Sequence, residues 1–199
     1  MDTWKNIVGK SFTPDAFEHY VTKELILNQE FGAETPVERW RPQFVVLHNT
    51  AIPTLAQWHS VPGEQRMRSL ENFYKNEQKW SAGPHLFVAD DLIWVFTPLT
   101  VSGVHSPSWN SVAWGVEMVG DYNVEAFDPR VRDNAVSALA TLHAAIDLKP
   151  ASLRLHKEDP KTTHDCPGRN VDKADMIQRV SALLSARPGE VLAPLATGS

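Results

Sequence analysis

The sequence has little cysteine, no excess of positive charge and no long hydrophobic run. Its 199 residues include one cysteine, Cys166, so a disulfide within the chain is excluded. The formal net charge of −5 gives no sign of the basic surface that binds nucleic acid. No stretch approaches the roughly 20 consecutive apolar residues of a membrane-spanning helix. We therefore expect a monomer that has no nucleic-acid partner and does not insert into a membrane.

The first residues, MDTWKNIVGKSF, lack the basic start and the apolar segment of a secretory signal, so we expect synthesis in the cytoplasm without a signal peptide. Hydrophobic residues make up 42% of the chain and charged residues 22%, as in ordinary globular proteins. Disordered and collagen-like classes are excluded by this composition. A length of 199 residues suits one domain with a substantial core.

Apolar periodicity and capping residues predict an alternation of helices and strands. Thr13-Pro14-Asp15 has the pattern of a helix start, and the pair Asp90-Asp91 between two apolar runs indicates a β-hairpin. Helices are predicted over about 14–27, from about 64 onward, from Asp128-Pro129 to Ile146 and over about 171–184. Strands are predicted at Phe44 to His48, on both sides of the hairpin turn, within SVAWGVEMVG and within SLRLH.

These elements predict a mixed α+β (α/β) single domain in which helices flank a central mixed sheet. We expect residues 1–40 to form a helical extension packed on the core and residues 41–186 to form the main domain. The last segment, 187–199, is rich in Pro, Gly and Ala, so we expect a mobile tail.

Two of the predicted strands end in histidine, at His48 and His156. A histidine that ends a buried strand can be a core residue hydrogen-bonded to a backbone carbonyl. However, two imidazoles and the thiolate of Cys166 are also the ligand types of a zinc site whose fourth position is open to water. The polar segment between His156 and Cys166 contains Pro160 and has loop composition, so it could bring both side chains to one point. Three unrelated residues remain the alternative.

Four segments, in order and at their intervals, resemble the zinc-dependent N-acetylmuramoyl-L-alanine amidases of type 2. They are FVVLHNTAIP, GPHLFVADDLIWVF, GVHSPSWNSVAWGVEMVG and LHKEDPKTTHDCPG. That family includes phage lysozyme-type endolysins, muropeptide-recycling amidases and animal peptidoglycan recognition proteins. The resemblance covers about 44–184, and its most specific parts are the strand followed by His-Asn-Thr and the closing His-x9-Cys-Pro-Gly.

The resemblance implies one zinc ion per chain, bound by His48, His156 and Cys166 at the strand ends, and makes residues 41–186 the catalytic domain. The substrate would be peptidoglycan or a muropeptide, cut at the amide between N-acetylmuramic acid and L-alanine. Zinc would lower the pKa of its water from about 15.7 toward about 7 and polarise the carbonyl.

Glu117 lies where recycling amidases carry a glutamate, and the resemblance implies that it is the general base. A carboxyl group facing a cavity has its pKa raised toward the working range. The alternative is an edge-strand glutamate that points to solvent. Other family members use a tyrosine from a neighbouring strand, but Pro84 occupies that position in this sequence.

His164 stands two residues before Cys166, where relatives carry lysine or threonine. The resemblance implies that it donates to the oxyanion of the tetrahedral intermediate, although a substrate contact or a loop role is also open. Substrate contacts are further expected from His105, which matches a histidine on the family's substrate rim, and from Trp109, Trp58 and His59. We expect His85 to be structural.

Two other functional classes compete with the zinc amidase. Cys166 beside His164 and Asp165 could form a cysteine hydrolase, although catalytic cysteines usually lie at a helix N-terminus or beside an imidazolium. A peptidoglycan-binding module without activity is the second alternative, but such relatives typically carry serine at the cysteine position. Within the amidase class, a bacteriolytic endolysin is favoured over a cytoplasmic recycling amidase that acts on anhydro-muropeptides.

Overall fold

A six-stranded sheet forms the centre of the molecule in a computed structural model that describes residues 4–25 and 40–187. The strands are β1 (Lys10–Phe12), β2 (Phe44–Asn49), β3 (Leu86–Val88), β4 (Ile93–Val95), β5 (Ala113–Met118) and β6 (Arg154–Leu155). The helices are α1 (Pro14–His19), α2 (Leu55–Trp58), α3 (Gly63–Asn72), α4 (Pro129–Ala145) and α5 (Lys173–Ala186). π-Helical turns, Tyr20–Glu24 and Phe73–Glu77, continue α1 and α3, and two 3-10 turns, Pro150–Ser152 and His156–Glu158, flank β6.

The sheet is mixed, with the strand order β1-β4-β3-β5-β2-β6. Strands β3, β5, β2 and β6 are parallel to one another, whereas β4 pairs antiparallel with both β3 and β1. The predicted mixed sheet flanked by helices in a single α/β domain is therefore confirmed. Parallel strands bring their carboxyl ends to one edge, so the ends of β2, β5 and β6 meet there. In this register His48 on β2 lies opposite Glu117 on β5.

The two faces of the sheet have different partners. Val45 and Leu47 of β2, with Val116 of β5, belong to a large core cluster that also contains residues of α1, α4 and α5. A smaller cluster on the other face joins Phe87 and Trp94 to the short helices α2 and α3. Because side chains alternate between faces along a strand, His48 and Glu117 lie on the face opposite the large core.

Local capping accounts for the boundaries of the long helices. Asp128 accepts hydrogen bonds from the N–H groups of Arg130 and Val131 at 2.8 and 3.1 Å, so α4 begins where the sequence predicts. Asp172 accepts from the N–H of Ala174 at 2.7 Å in the same way, and α5 begins at Lys173 rather than at residue 171. The hairpin around Asp90-Asp91 is present as the antiparallel pair β3 and β4.

The first segment of the chain differs from its prediction in one respect, since its sequence predicts only a helix there. β1 adds an edge strand by pairing with β4, and Phe17 and Val21 on the following helix are buried in the large core cluster. The end of the predicted helix at residue 27 and the predicted tail beyond residue 187 lie outside the described residues. Across the described ranges, no helix has the length and apolar character needed to cross a bilayer.

Candidate metal centre and active site

A cavity of about 300 Å³ opens at the carboxyl ends of β2 and β5. His48, Glu117, His156, His164 and Cys166 line it. One nitrogen of each of His48 and His156 and the sulfur of Cys166 all lie within 4.8 Å of one another. The two imidazole rings are 4.4 Å apart between centroids, and the Cys166 Sγ is 3.8 Å from the His48 Nδ1. The structure thus brings the three residues with zinc-ligand chemistry together at the predicted edge of the sheet.

Three different elements supply these side chains. His48 is held by β2, His156 is the first residue of the 3-10 turn after β6, and Cys166 lies in the loop that leads to α5. The Lys157 N–H donates to the Cys166 carbonyl at 2.8 Å, which folds that loop back onto the turn. Gly168 has a φ of +105° and a Cβ there would lie 2.4 Å from the Tyr122 carbonyl carbon, so this close approach requires glycine.

The two imidazoles are in the form that binds cations. Burial lowers the pKa of His48 well below its ordinary value, and the neighbouring His105 and His156 add to the shift. Burial also lowers the pKa of His156, an effect that nearby Asp159 partly opposes. A neutral imidazole keeps one nitrogen lone pair free, which is the form that acts as a metal ligand.

Two buried polar atoms of the site have no hydrogen-bond partner among residues 4–25 and 40–187. They are the His156 Nε2 and the Glu117 Oε2, and no described residue offers either of them a hydrogen bond. Buried polar groups without a partner are rare in native proteins, and a bound cation satisfies groups of this kind. Two imidazoles, one sulfur and an adjacent carboxyl group are a donor set that suits zinc with one open position. The residues present therefore fit the metal that the family resemblance implies.

Glu117 lies next to the three candidate metal ligands but does not belong to their group. Its Oε1 lies 3.9 Å from the His48 Nδ1, and 14% of its side chain is exposed. Burial raises the pKa of Glu117 to about 8. A bound cation would favour the ionised carboxylate, so the group could exchange a proton near neutral pH.

His164 and Tyr74 both line the cavity. The His164 ring is 6.3 Å from that of His156, and its side chain is exposed. Tyr74 comes from the π-helical turn after α3 and stacks on Trp80 with centroids 5.2 Å apart. Burial, with a smaller effect of the Glu117 charge, raises the pKa of Tyr74 well above its ordinary value, so the phenol stays protonated.

Sequence reasoning missed Tyr74, Trp80 and Asn123 as lining residues of the cavity. Tyr74 follows Met67 and Leu70 at helical spacing, which predicts a core face rather than a site. Pro84, where the resemblance places the tyrosine of other family members, also lines the cavity. In the sequence, the sign that Tyr74 could belong to a site is its polar hydroxyl group at the end of that apolar face.

The four expected substrate contacts have different positions in the structure. His105 lines the cavity but is only 8% exposed, and both of its ring nitrogens make hydrogen bonds within the protein. Trp58 is buried against Phe87, with ring centroids 5.8 Å apart. The His59 Nε2 is 2.6 Å from the Asp90 carboxylate. None of Trp58, His59 and Trp109 is among the residues that line the cavity.

Trp109 packs edge to face against Phe44.

His85 directly precedes β3 and is fully buried. The Gly115 N–H donates to the His85 Nδ1 at 3.0 Å, and the His85 Nε2 donates to the Val101 carbonyl at 3.0 Å. Burial lowers the pKa of His85 to about 3, so it is a neutral histidine whose two nitrogens are both satisfied by the backbone.

The surroundings of Cys166 disfavour the thiol-hydrolase alternative. Burial raises the pKa of the Cys166 thiol far above its ordinary value, and the charge of Glu117 adds to that shift. A nucleophilic cysteine needs the opposite effect, which an imidazolium or a helix N-terminus supplies. The imidazole of His48 lies 3.8 Å from the Cys166 Sγ, but burial lowers the pKa of His48, so it does not supply an imidazolium.

Comparisons with known proteins agree with this architecture. Residues 38–169 match the model of a protein family described as N-acetylmuramoyl-L-alanine amidase. A curated relative, peptidoglycan-recognition protein LB of Drosophila melanogaster, is 25% identical over 154 residues, which are 74% of this chain. The match spans 65% of that relative's length.

Two similar solved structures share the fold. N-acetylmuramoyl-L-alanine amidase LysC from Clostridium intestinale URNW is 22% identical, with a TM-score of 0.59 over 70% of this chain and 85% of that one. A mutant of Drosophila PGRP-LB in complex with tracheal cytotoxin is 23% identical, with a TM-score of 0.55 over 81% of this chain and 92% of that one. At these identities the likeness establishes the fold alone.

Proposed function

The chain belongs to the N-acetylmuramoyl-L-alanine amidase family, and on that premise we propose that it is a zinc-dependent amidase of peptidoglycan. The bond cut joins the lactyl group of N-acetylmuramic acid to the L-alanine of the stem peptide. The observation that carries the proposal is the grouping of His48, His156 and Cys166 within 4.8 Å beside the buried carboxyl group of Glu117. We assign the catalytic domain to residues 41–186.

His48, His156 and Cys166 would hold the zinc ion. When bound there, zinc supplies an acidified water and a Lewis acid for the amide carbonyl. Glu117 accepts the proton that the attacking water loses as its oxygen bonds to the carbonyl carbon. Glu117 then delivers that proton to the alanine nitrogen as the carbon–nitrogen bond breaks, so the products are a lactyl carboxylic acid and a free amine, which near neutral pH become a carboxylate and an ammonium group.

His164 is proposed to stabilise the oxyanion of the tetrahedral intermediate. Its exposed ring lines the cavity, with its centroid 6.3 Å from that of His156. A preorganised donor of this kind contributes on the order of 2.7–4 kcal/mol to the barrier. Of the expected substrate contacts, His105 is the one that lines the cavity and is kept as a proposed contact there. Trp109, Trp58 and His59 remain expectations from the sequence, because they lie outside the lining of the cavity.

The biological setting that we propose is a phage or prophage endolysin that degrades the cell wall as a monomer. Such an enzyme would be bacteriolytic and would act on polymeric peptidoglycan. The second candidate is a cytoplasmic recycling amidase that acts on soluble anhydro-muropeptides. The exposed apolar side chain of Trp80 on the wall of the cavity favours a large polymeric substrate over a small soluble one.

The test compares the zinc-loaded protein on purified sacculi and on soluble anhydro-muropeptide, with products identified by mass spectrometry. An amidase releases stem peptides that begin with free L-alanine and leaves the glycan uncut. An endolysin should have the higher kcat/KM on sacculi, whereas preference for the soluble substrate would assign the recycling role. Binding to sacculi without release of peptide would instead indicate a recognition module.

A further inference from the structure

A buried chain of hydrogen bonds lies behind His48, on the side away from Cys166. The His48 Nε2 is 3.1 Å from the His105 Nδ1, and the His105 Nε2 is 3.1 Å from the Ala113 carbonyl oxygen. The relative exposure of His48 is 1% and that of His105 is 8%, so water does not compete for these bonds. The chain therefore connects a candidate metal ligand to the main chain of β5.

The chemistry of the last acceptor fixes every proton along this chain. A carbonyl oxygen can only accept, so the proton of His105 is on its Nε2. A buried imidazole without a bonded carboxylate stays neutral, and its Nδ1 is then an acceptor. The proton shared between the two rings therefore belongs to the Nε2 of His48.

We infer that His105 is a positioning residue that fixes the tautomer of His48 and leaves the His48 Nδ1 free to bind the metal. The Nδ1 is the atom that faces the rest of the site, 3.8 Å from the Cys166 Sγ and 3.9 Å from the Glu117 Oε1. Partners of this kind orient ligating histidines and raise their basicity. The inference deepens the proposed zinc site, and it gives His105 a role that does not require substrate contact.

The local sequence holds the His105 ring in place. A Cβ on Gly115 would lie 2.4 Å from the His105 Cγ, so the ring rests on a part of β5 that only glycine leaves open. The Asn110 side chain accepts from the N–H groups of His105 and Ser106 at 2.7 and 2.8 Å, which closes the loop that carries the ring. Strand and loop together therefore aim the His105 Nδ1 at His48.

The direct test is nitrogen NMR of the metal-free protein with ¹⁵N-labelled histidine. Long-range proton–nitrogen correlations distinguish a protonated Nε2 from a protonated Nδ1. The inference predicts that His48 carries its proton on Nε2 and that His105 does too. A wild-type His48 protonated on Nδ1 would overturn it.

A second test measures zinc affinity by chelator competition in His105→Phe. The loss of the partner should weaken zinc binding by roughly 10–100-fold. The matched control is His143→Phe, because His143 is also buried but lies in α4, where its ring bonds to the Leu139 carbonyl and to no other residue that the structure describes. His105→Gln keeps an acceptor for the His48 proton and should recover part of the affinity.

Gly115→Ala gives an independent variant if His105→Phe fails to fold, since the added methyl group displaces the ring without removing it. The inference would be contradicted if zinc affinity fell no more in His105→Phe and Gly115→Ala than in the control His143→Phe. Both readouts need no substrate, so a lack of peptidoglycan cleavage would overturn the proposed function and leave this result standing.

Discussion

Glu117 is surrounded mainly by uncharged groups, and this sets its protonation. Burial raises its pKa to about 8, and its titratable neighbours include His48, Tyr74 and the thiol of Cys166. In the proposed reaction this carboxyl group has to take up a proton and release it within one turnover. A carboxyl group with its ordinary pKa would hold that proton less well near neutral pH.

Glu117→Gln should lower kcat by roughly 10²–10⁴-fold, because the amide keeps the shape of the side chain but cannot accept a proton. Zinc content should stay near that of the wild type. The measurement is kcat on a defined muropeptide alongside metal analysis of the same sample. Activity close to the wild-type rate would remove the general-base role from Glu117.

Cys166→Ser should abolish stable zinc binding, because a neutral hydroxyl replaces the sulfur ligand of a three-residue site. The purified wild-type protein should contain about one zinc per chain and the variant much less. Thermal unfolding of the two metal-free proteins checks that the fold is retained. Full zinc content in Cys166→Ser would show that this residue is not a ligand.

His164→Ala should reduce kcat/KM by on the order of 10²-fold, because removal of an oxyanion donor has effects of that size. The side chain is exposed, so the fold should tolerate the change. His19→Ala, also on the surface, is the control and should retain wild-type activity. Equal activity in all three proteins would assign His164 no catalytic role.

Between elements, one buried carboxylate joins the two loops that carry the site. Asp159 accepts from the Ser106 hydroxyl at 2.5 Å and from the Ser108 N–H at 2.9 Å, while its own N–H donates to the His156 carbonyl at 2.9 Å. Burial opposes ionisation, but hydrogen bonds from Ser106, Ser108 and Lys161 outweigh it and hold the pKa of Asp159 well below its usual range. The loop of His105 and the turn of His156 are thereby fixed to each other.

Asp159→Asn should destabilise the protein at pH 6, and progressively less as the pH falls below about 4. The folded pKa is depressed, so the carboxylate stabilises the fold above its unfolded pKa of about 3.9 and this contribution is lost as the pH falls further. The check is the difference in Tm between wild type and variant from pH 6 to pH 3, with the exposed Asp133→Asn as the control. A difference that does not change with pH would contradict the electrostatic account.

Elements with strong local signals could be predicted from the sequence. Asp128 and Pro129 are a local capping signal at the start of α4. The two apolar runs on either side of Asp90-Asp91 are close enough in the chain to pair as a hairpin. The sequence does not predict β1, because three largely exposed residues carry no periodicity and gain their strand form only by pairing with β4. The spacing of Tyr74 predicts a core position. Its place at the cavity could not be predicted, because spacing along a helix does not show where a cavity begins.

At the scale of the whole molecule, the parallel part of the sheet determines where the site can form. His48 and Glu117 end neighbouring strands and lie in register, so their proximity follows from the strand order. The sequence could suggest the ligand types but not the hydrogen bond between His48 and His105, which depends on how a loop folds back over Gly115. Contacts of that kind arise from tertiary packing, which spacing along the chain does not encode.

The most direct test of the proposed function is cleavage of a defined muropeptide by the zinc-loaded protein, by the same protein after chelation and by the chelated protein resupplied with zinc. Mass spectrometry of the products shows which bond is cut. The proposed function predicts separate glycan and L-alanine-terminated peptide from the first and third samples and intact muropeptide from the second. Cleavage that persists after complete zinc removal, or cleavage at another bond, would contradict it.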